Sequence, residues 1–275
     1  MIEEERILPY RTMSLTGKRV LVVAPHPDDD IIGCGGALIR HVRAGDPVRV
    51  VFLTRGDKGD FTGRFGAEYP AVREAEARDA ARLIGVHDLE FLPYRDREVR
   101  PDAPLVRDLS AALSTHQAGL VYGPSPTEAH PDHRAAAKAL WTAAAHCDFP
   151  IRVAFYETSA PLKPTVLVDI SDIMEMKMEA LHRHRSQLMD VDWSDRVRGL
   201  NRFRTITLIG QAEYAEAFWV TEPGPSLSLE KAYEDICGWA QLKESLGKSK
   251  VGSKSGLRIP LPGGALTIGY EKRGK

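Results

Sequence analysis

The sequence predicts an α/β fold: a Rossmann-like, mostly parallel sheet with helices on both faces, followed by a smaller irregular C-terminal part. Three observations lead there. Short β-branched apolar runs alternate with helical runs of about ten to fifteen residues through the first two thirds of the chain, the pattern of repeated βαβ units. With 275 residues and 43% hydrophobic side chains, the chain is long enough for one large core and a small appendage. Two loops dense in His and Asp, at 25–30 and 123–133, each follow an apolar run and precede a helical one. In parallel sheets, chemistry sits off the C-terminal strand ends, which is where such loops lie.

Residues 19–24 read as a strand and 31–44 as a helix stopped by Gly45. A second β-branched strand covers 48–53 and leads into the loop TRGDKGDFTGRFGAEY, which carries four glycines. The helix at 70–84 starts on Pro70, is rich in Ala and Arg, and ends before Gly85. A short strand at 89–92, a helix at 103–115 and a strand at 119–122 follow. The polar loop GPSPTEAHPDH then opens an Ala-rich helix at 134–146. Strands are expected at 152–156 and 165–170, and a helix at 171–188. Beyond that the pattern loosens. An Arg-rich helix is expected at 193–210, a strand at 216–220, and an amphipathic helix at 228–246. A Lys/Ser/Gly connection at 248–255 precedes a hairpin at 257–271, turning at Pro262-Gly263-Gly264. The chain divides on this reading into a domain at 1–222 and an extension at 223–275.

Lys plus Arg number 37 and Asp plus Glu 38, a balance that offers no electrostatic argument for nucleic acid or a membrane surface. Only the tail is biased, with eight basic residues against two acidic ones from Lys243 onward, a pattern read first as a solvated face. The three cysteines, Cys34, Cys147 and Cys237, are far apart and odd in number, which argues against a disulfide framework and a thiolate zinc site. The N-terminal residues lack an apolar run of signal-peptide length, and no stretch approaches membrane-spanning length. A cytoplasmic location is the expectation.

The two polar loops hold His26, Asp28, Asp29, Asp30, His130, Asp132 and His133. Taken singly, an imidazole near a strand end is usually solvated or hydrogen-bonded, and a DDD run usually caps a helix, as Asp30 would. Two such clusters at two strand ends favour a metal instead. Neutral imidazole with carboxylate suits Zn²⁺, and also Fe²⁺ or Mn²⁺. Other motifs fit less well. Residues 33–36, GCGG, follow a strand but lack the GxGxxG spacing, no acid ends the second strand, and no GxxxxGK[ST] occurs. His26-Pro27-Asp28 with His133 also matches the facial triad of non-haem iron oxygenases, but the βα alternation argues against the all-β barrel of that class.

At these residues the chain resembles the PIG-L/LmbE-like N-acetylglucosaminyl deacetylase family, which is zinc-dependent. The resemblance rests on PHPDDD after a strand and HPDH about a hundred residues later. It is supported by TRGDKG (54–59), REAEARDAARLIGV (73–86), KMEALHRHRSQ (177–187) and YAEAF (214–218), and covers roughly 18–220. The one departure is Asp30, where the family more often has Glu. The resemblance implies His26, Asp29 and His133 as zinc ligands, and Asp28 as general base. It implies His130 as the residue that stabilises the oxyanion and assists amine departure, with Asp132 orienting it. Arg73 and Asp96 would contact the sugar. Pro25 and Pro27 would stiffen the ligand-bearing loop.

The expected function is a zinc-dependent hydrolase that removes acetyl from an N-acetylated amino sugar in a small-molecule conjugate. An amidase of another sugar or thiol conjugate is the near alternative. A metal-dependent phosphoesterase and a non-enzymatic sugar-binding protein stand further off, and a homo-oligomer is left open.

Overall fold

The computed structural model describes residues 12–189, 192–208 and 210–237, together with the backbone of 257–261 and 264–268. Cα proximity divides the chain into two units, with the boundary between Glu230 and Lys231. In the first, β1 (Val20–Ala24), β2 (Val48–Thr54), β3 (Asp88–Tyr94), β4 (Leu120–Pro124), β5 (Arg152–Tyr156), β6 (Val166–Asp169) and β7 (Ala215–Thr221) make one seven-stranded sheet in the order β3-β2-β1-β4-β5-β7-β6. The five strands from β3 to β5 are mutually parallel, while β7 runs antiparallel to both of its neighbours. This is the mostly parallel sheet that the alternating pattern predicts.

β1 lies between β2 and β4 and is buried throughout, which is why it reads as an unbroken apolar run rather than an alternating one. The helix α5 (Met174–Leu181) packs on both α1 (Asp29–Arg43) and α2 (Tyr69–Leu83), and α3 (Ala103–His116) packs on α4 (Pro131–Ala145). Right-handed crossovers place these two groups on opposite faces of the sheet.

Three expectations change in detail. The helix expected at 31–44 starts at Asp29 and is interrupted at Cys34, whose φ of −143° and ψ of 16° are not helical. The helix expected at 171–188 is three pieces: a 3-10 turn at Ser171–Ile173, α5, and α6 (Arg185–Leu188). Glu76 of α2 accounts for the second break, accepting hydrogen bonds from the Ser186 N–H at 2.8 Å and hydroxyl at 2.6 Å, and so capping α6 from outside. The helix expected at 193–210 ends early, as α7 (Trp193–Phe203). Of the amphipathic helix at 228–246 and the tail, the described residues contain α8 (Leu229–Cys237) and two antiparallel strands, β8 (Leu257–Leu261) and β9 (Gly264–Ile268). The 248–255 connection, residues 238–246 and the turn at 262–263 lie outside the described residues.

Gly33 marks a close approach. A Cβ there would sit 2.1 Å from Cδ2 of Tyr156, and that ring is fully buried with its hydroxyl donated to Val23 O at 3.0 Å. Gly33→Ala should destabilise the protein by about 1–3 kcal/mol, as overpacking does. Gly199, inside α7 with nothing within 4 Å of its missing Cβ, is the control. Gly199→Ala should stabilise by about 0.5–1 kcal/mol, because alanine has the better helix propensity. Urea midpoints of the two variants should move in opposite directions.

His184, between α5 and α6, is buried, and neither ring nitrogen has a hydrogen-bond partner among the described residues. Burial, helped by the charge of Arg73, pushes its pKa down to about 3. An unfolded imidazole titrates near about 6.5, so below that pH the unfolded chain binds a proton that the folded one refuses. Stability from this site is therefore complete above about pH 6.5 and falls with acidification, at up to about 1.4 kcal/mol per pH unit. Denaturation of wild type and His184→Gln between pH 8 and 5 should show a shallower acid loss in the variant; parallel curves would remove His184 as the cause.

Candidate active site

β1 and β4 are neighbours from which the chain departs in opposite directions, so their C-terminal ends flank the point where strand order reverses. Ligands of open α/β sheets bind in that crevice. His26, Asp28 and Asp29 follow β1, and His130, Asp132 and His133 follow β4. Asp96 lies just past β3, Thr158 just past β5, and Arg73 projects from α2.

The turn after β1 is anchored at once. Pro25 O accepts from the Thr54 N–H at 3.1 Å and hydroxyl at 2.9 Å. Asp28 then adopts φ 152° and ψ −26°, a conformation that costs an L residue about 1–3 kcal/mol unless its surroundings impose it. Here they do. Arg73 Nη2 donates to Pro27 O at 2.9 Å and to Asp28 Oδ2 at 3.0 Å, and Asp28 O accepts the first N–H groups of α1, from Ile31 and Ile32.

The strained turn brings three donor atoms together. His26 Nδ1 lies 3.1 Å from Asp29 Oδ2, His133 Nε2 lies 3.1 Å from the same oxygen, and the two nitrogens are 3.3 Å apart. Ligands around a tetrahedral ion with bonds of about 2.0–2.1 Å stand roughly 3.3–3.4 Å from one another, so this triangle is close to one face of such a site. The donor set, two imidazoles and a carboxylate, is also right for such an ion. Two broader groupings with donor atoms within 4.8 Å are His26 with His130 and His133, and His26 with Asp96, His130 and Asp132. In the second, Asp132 already accepts from the N–H groups of Arg97 at 2.6 Å and Val99 at 3.3 Å. That grouping reads as support for His26 rather than as a second centre.

Behind the triangle each imidazole is held by its other nitrogen. His26 Nε2 faces Asp96 Oδ1 at 3.2 Å and Asp132 Oδ2 at 3.3 Å. His133 Nδ1 meets the Thr158 hydroxyl at 3.2 Å, with Glu128 Oε2 at 3.8 Å. Such contacts fix ring orientation and tautomer. They also shape acidity. Burial would raise the pKa of Asp96, but the His26 imidazole outweighs it and holds the acid at about 2. Burial likewise opposes the ionisation of Asp29, and the imidazoles of His133 and His26 overcome it and keep its pKa low. Asp28 goes the other way: burial, opposed by Arg73, lifts it to about 6. Asp30, fully enclosed and beside Asp28 and Asp29, is raised to about 8, so it is a buried neutral acid at pH 7 rather than a charged cap.

All three predicted donors, together with Asp28, Arg73, Asp96 and His130, line one cavity of about 260 Å³. Asp132 stands behind His26, buried. One expectation is corrected here. The Asp132 carboxylate does not orient His130; it accepts from His26, Arg97 and Val99, and what reaches His130 Nδ1 is its backbone N–H, at 3.2 Å. An imidazole accepting at Nδ1 carries its proton on Nε2 when neutral. His130 is held toward that neutral form by burial and by the nearby His26 and His133, which lower its pKa. Arg73 and Asp96, expected as sugar contacts, do line the cavity, but polar atoms of both are already engaged with Asp28 and His26.

Sequence reasoning missed Thr158 and Glu128, which support His133, and Arg97, whose φ of 65° is a second strained non-glycine at the cavity. Thr158 sits at a strand end, a signal that could have been followed; nothing local marks Arg97. At the cavity, Phe61 is 76% exposed with the Arg97 guanidinium 5.4 Å above its ring, and Trp193 and Gln187 also line the wall.

Comparison with known proteins agrees with this geometry. Residues 21–144 match the family described as PIG-L, GlcNAc-PI de-N-acetylase. The chain is 31% identical over 196 residues to a diacetylchitobiose deacetylase of Thermococcus kodakarensis, covering 64% of this chain and 72% of that protein. It is 30% identical to a probable N-acetyl-alpha-D-glucosaminyl L-malate deacetylase 2 of Bacillus anthracis, covering 62% and 81% respectively. The N,N'-diacetylchitobiose deacetylase of Pyrococcus horikoshii superposes with a TM-score of 0.68 at 29% identity, over 76% of this chain and 87% of that one. With donor triangle, strand-end placement and relatives in agreement, the chain belongs to the PIG-L family of de-N-acetylases.

Proposed function

We propose that this protein is a metal-dependent deacetylase that hydrolyses the acetamide of an N-acetylglucosamine-type sugar in a small-molecule conjugate, in the cytoplasm and with zinc as the ion. The observation that carries the reading is the triangle of His26 Nδ1, Asp29 Oδ2 and His133 Nε2 at 3.1–3.3 Å, beside a strained carboxylate, Asp28, that is not part of it. His26, Asp29 and His133 would hold the ion, which as a Lewis acid makes water acidic near neutral pH and polarises a carbonyl.

The rest of the work falls to the chain. Asp28, held by Arg73 and raised toward neutrality by burial, takes the proton of the water that attacks the acetamide carbon. His130, protonated on Nε2, donates to the oxygen that becomes negative. The proton held on Asp28 passes to the departing nitrogen as the C–N bond breaks, with His130 assisting its departure, and the carboxylate is restored. Acetate and the free amino sugar result. Phe61 and Trp193 give the cavity wall aromatic faces suited to the apolar side of a sugar ring. The donor groupings among the described residues share His26 and His130, so they form one centre. That speaks against a two-metal phosphoesterase, which needs a second ion about 3.5–4 Å away.

Amine release from N-acetylglucosaminides with varied aglycones, set against phosphate release from aryl phosphates, tests the reaction class; only the first should occur, and a chelator should abolish it. Asp28→Asn should keep its zinc and lose roughly 10²–10⁴-fold in kcat, the worth of a positioned base. His130→Ala should also keep zinc and lose roughly 10²–10³-fold, as for one oxyanion donor. Asp29→Asn should instead lose zinc affinity first and recover part of its activity when zinc is added. Metal content of the three variants decides the roles, and zinc loss in Asp28→Asn with retention in Asp29→Asn would reverse them.

A further inference from the structure

Two stretches singled out in the sequence have no part in the chemistry above: KMEALHRHRSQ, at 177–187, and YAEAF, at 214–218. Their charged members meet against α1. Lys177 and Glu216 are 0% and 1% exposed, with Nζ 2.7 Å from Oε1. Lys177 Nζ also donates to Asn201 Oδ1 and to Ile32 O, each at 2.9 Å. Glu216 accepts from the Gly36 N–H at 2.7 Å and the Ala37 N–H at 2.8 Å, one on each oxygen.

In an unbroken helix the Gly36 N–H would bond to Ile32 O. Here Glu216 takes that N–H and Lys177 takes that carbonyl, so the ion pair is inserted into one step of the helical ladder. The interruption at Cys34 lies between those two residues. Glu216 thus caps the second part of α1, and the turn from Asp29 to Gly33 becomes a separate platform carrying Asp28 and Asp29. Gly36 allows the close approach: a Cβ there would stand 2.4 Å from Ile170 Cγ2 and 3.0 Å from Glu216 Oε1. Stability alone is a poor reason to bury such a pair, since apolar replacements of buried ion pairs are often neutral or stabilising.

We infer that Lys177 and Glu216 are positioning residues, whose inserted ion pair sets the tilt of the Asp29–Gly33 turn and thereby places the Asp29 carboxylate against His26 and His133 and Asp28 beside them. The inference rests on the metal-dependent reading above and deepens it.

The test uses the full chain and four variants: Lys177→Met, Glu216→Gln, the double variant, and Leu109→Ala in α3 as a remote core lesion. Zn²⁺ affinity is measured by competition with a metallochromic chelator, kcat and KM at saturating zinc, and stability by thermal melting. Lys177→Met should bind zinc about 10–100-fold more weakly, as for a lost supporting contact. At saturating zinc its kcat should fall by about 10–100-fold with KM little changed, as for misplaced reacting groups. Leu109→Ala should lose stability and keep both values. The double variant is the sharpest arm: removing both charges should restore stability while zinc affinity and kcat stay low. If affinity and kcat recover together with stability, or never leave the wild-type values, the pair is structural and the inference is overturned. Should Lys177→Met not fold, Asn201→Ala, which removes one acceptor of Nζ without burying a lone charge, must show the same effects in smaller measure. Wild-type protein that neither binds zinc nor releases amine would overturn the proposed function as well; wild type that does both beside unaffected variants overturns only this inference.

Discussion

Five buried aspartates cluster at and just behind one cavity. Asp28, Asp29, Asp30, Asp96 and Asp132 are all buried, and among the described residues the guanidinium paired with them is that of Arg73, on Asp28. Buried anions at such density are strongly unfavourable unless protonated, paired or bound to a cation. The site uses each means in a different place. Asp30 keeps a proton. Asp132 is surrounded by backbone N–H groups and His26. Asp29 and Asp96 are drawn down by imidazoles, and Asp28 is left near neutrality by burial against Arg73. Three chemically identical side chains in a row thus acquire three different acidities from environment alone, and a cation at the donor triangle would complete the compensation.

The placement of these groups depends on backbone that departs from the ordinary. Asp28 is strained, α1 is interrupted five residues into its length, and side chains approach where glycines leave space. A regular helix from Asp29 onward would run its ladder straight from Ile32 to Gly36, with no opening for Lys177 or Glu216. At the interruption the N–H groups of Gly36 and Ala37, which a regular helix would pair with Ile32 and Gly33, are met by Glu216, and Ile32 O is met by Lys177, residues far along the chain. Local propensity cannot supply that, and the fold must already be assembled for the pair to exist. The turn that carries Asp28 and Asp29 is therefore a product of tertiary structure, although its residues are contiguous.

That distinction separates what was legible in the sequence from what was not. The sheet, its strand ends and the His/Asp clusters were legible because each is a local pattern: apolar runs, glycine stops, charge after a strand. That the two His/Asp clusters meet could be read from two loops at two strand ends of a parallel sheet, whereas the choice of His26, Asp29 and His133 among them came from the family resemblance. The interruption at Cys34 was not legible, since residues 31–44 have good helical periodicity and the agents of the break lie beyond residue 170. The break before α6 is of the same kind, imposed by Glu76 from another helix. The partner of Asp132 was misassigned for a related reason. Its neighbour in sequence is His130, but the loop after β3 brings Arg97 and Val99 to its carboxylate, and β1 brings His26.

Reaction and selectivity are built from different parts of this chain. The donor triangle, Asp28 and His130 hang from the ends of β1 and β4, the two adjacent central strands, where position is set by the sheet's hydrogen bonding. Phe61 comes from the glycine-rich loop after β2, Arg97 from the loop after β3, and Trp193 from the start of α7. Loops tolerate exchange and insertion where strands do not. The donor triangle thus sits in short turns and first helical turns held directly against the sheet, whereas the outer wall of the cavity comes from longer loops. The relatives are named for different conjugates, one a disaccharide and one a malate conjugate. In this chain the wall combines the aromatic faces of Phe61 and Trp193 with the exposed guanidinium of Arg97, which lies 5.4 Å over the Phe61 ring.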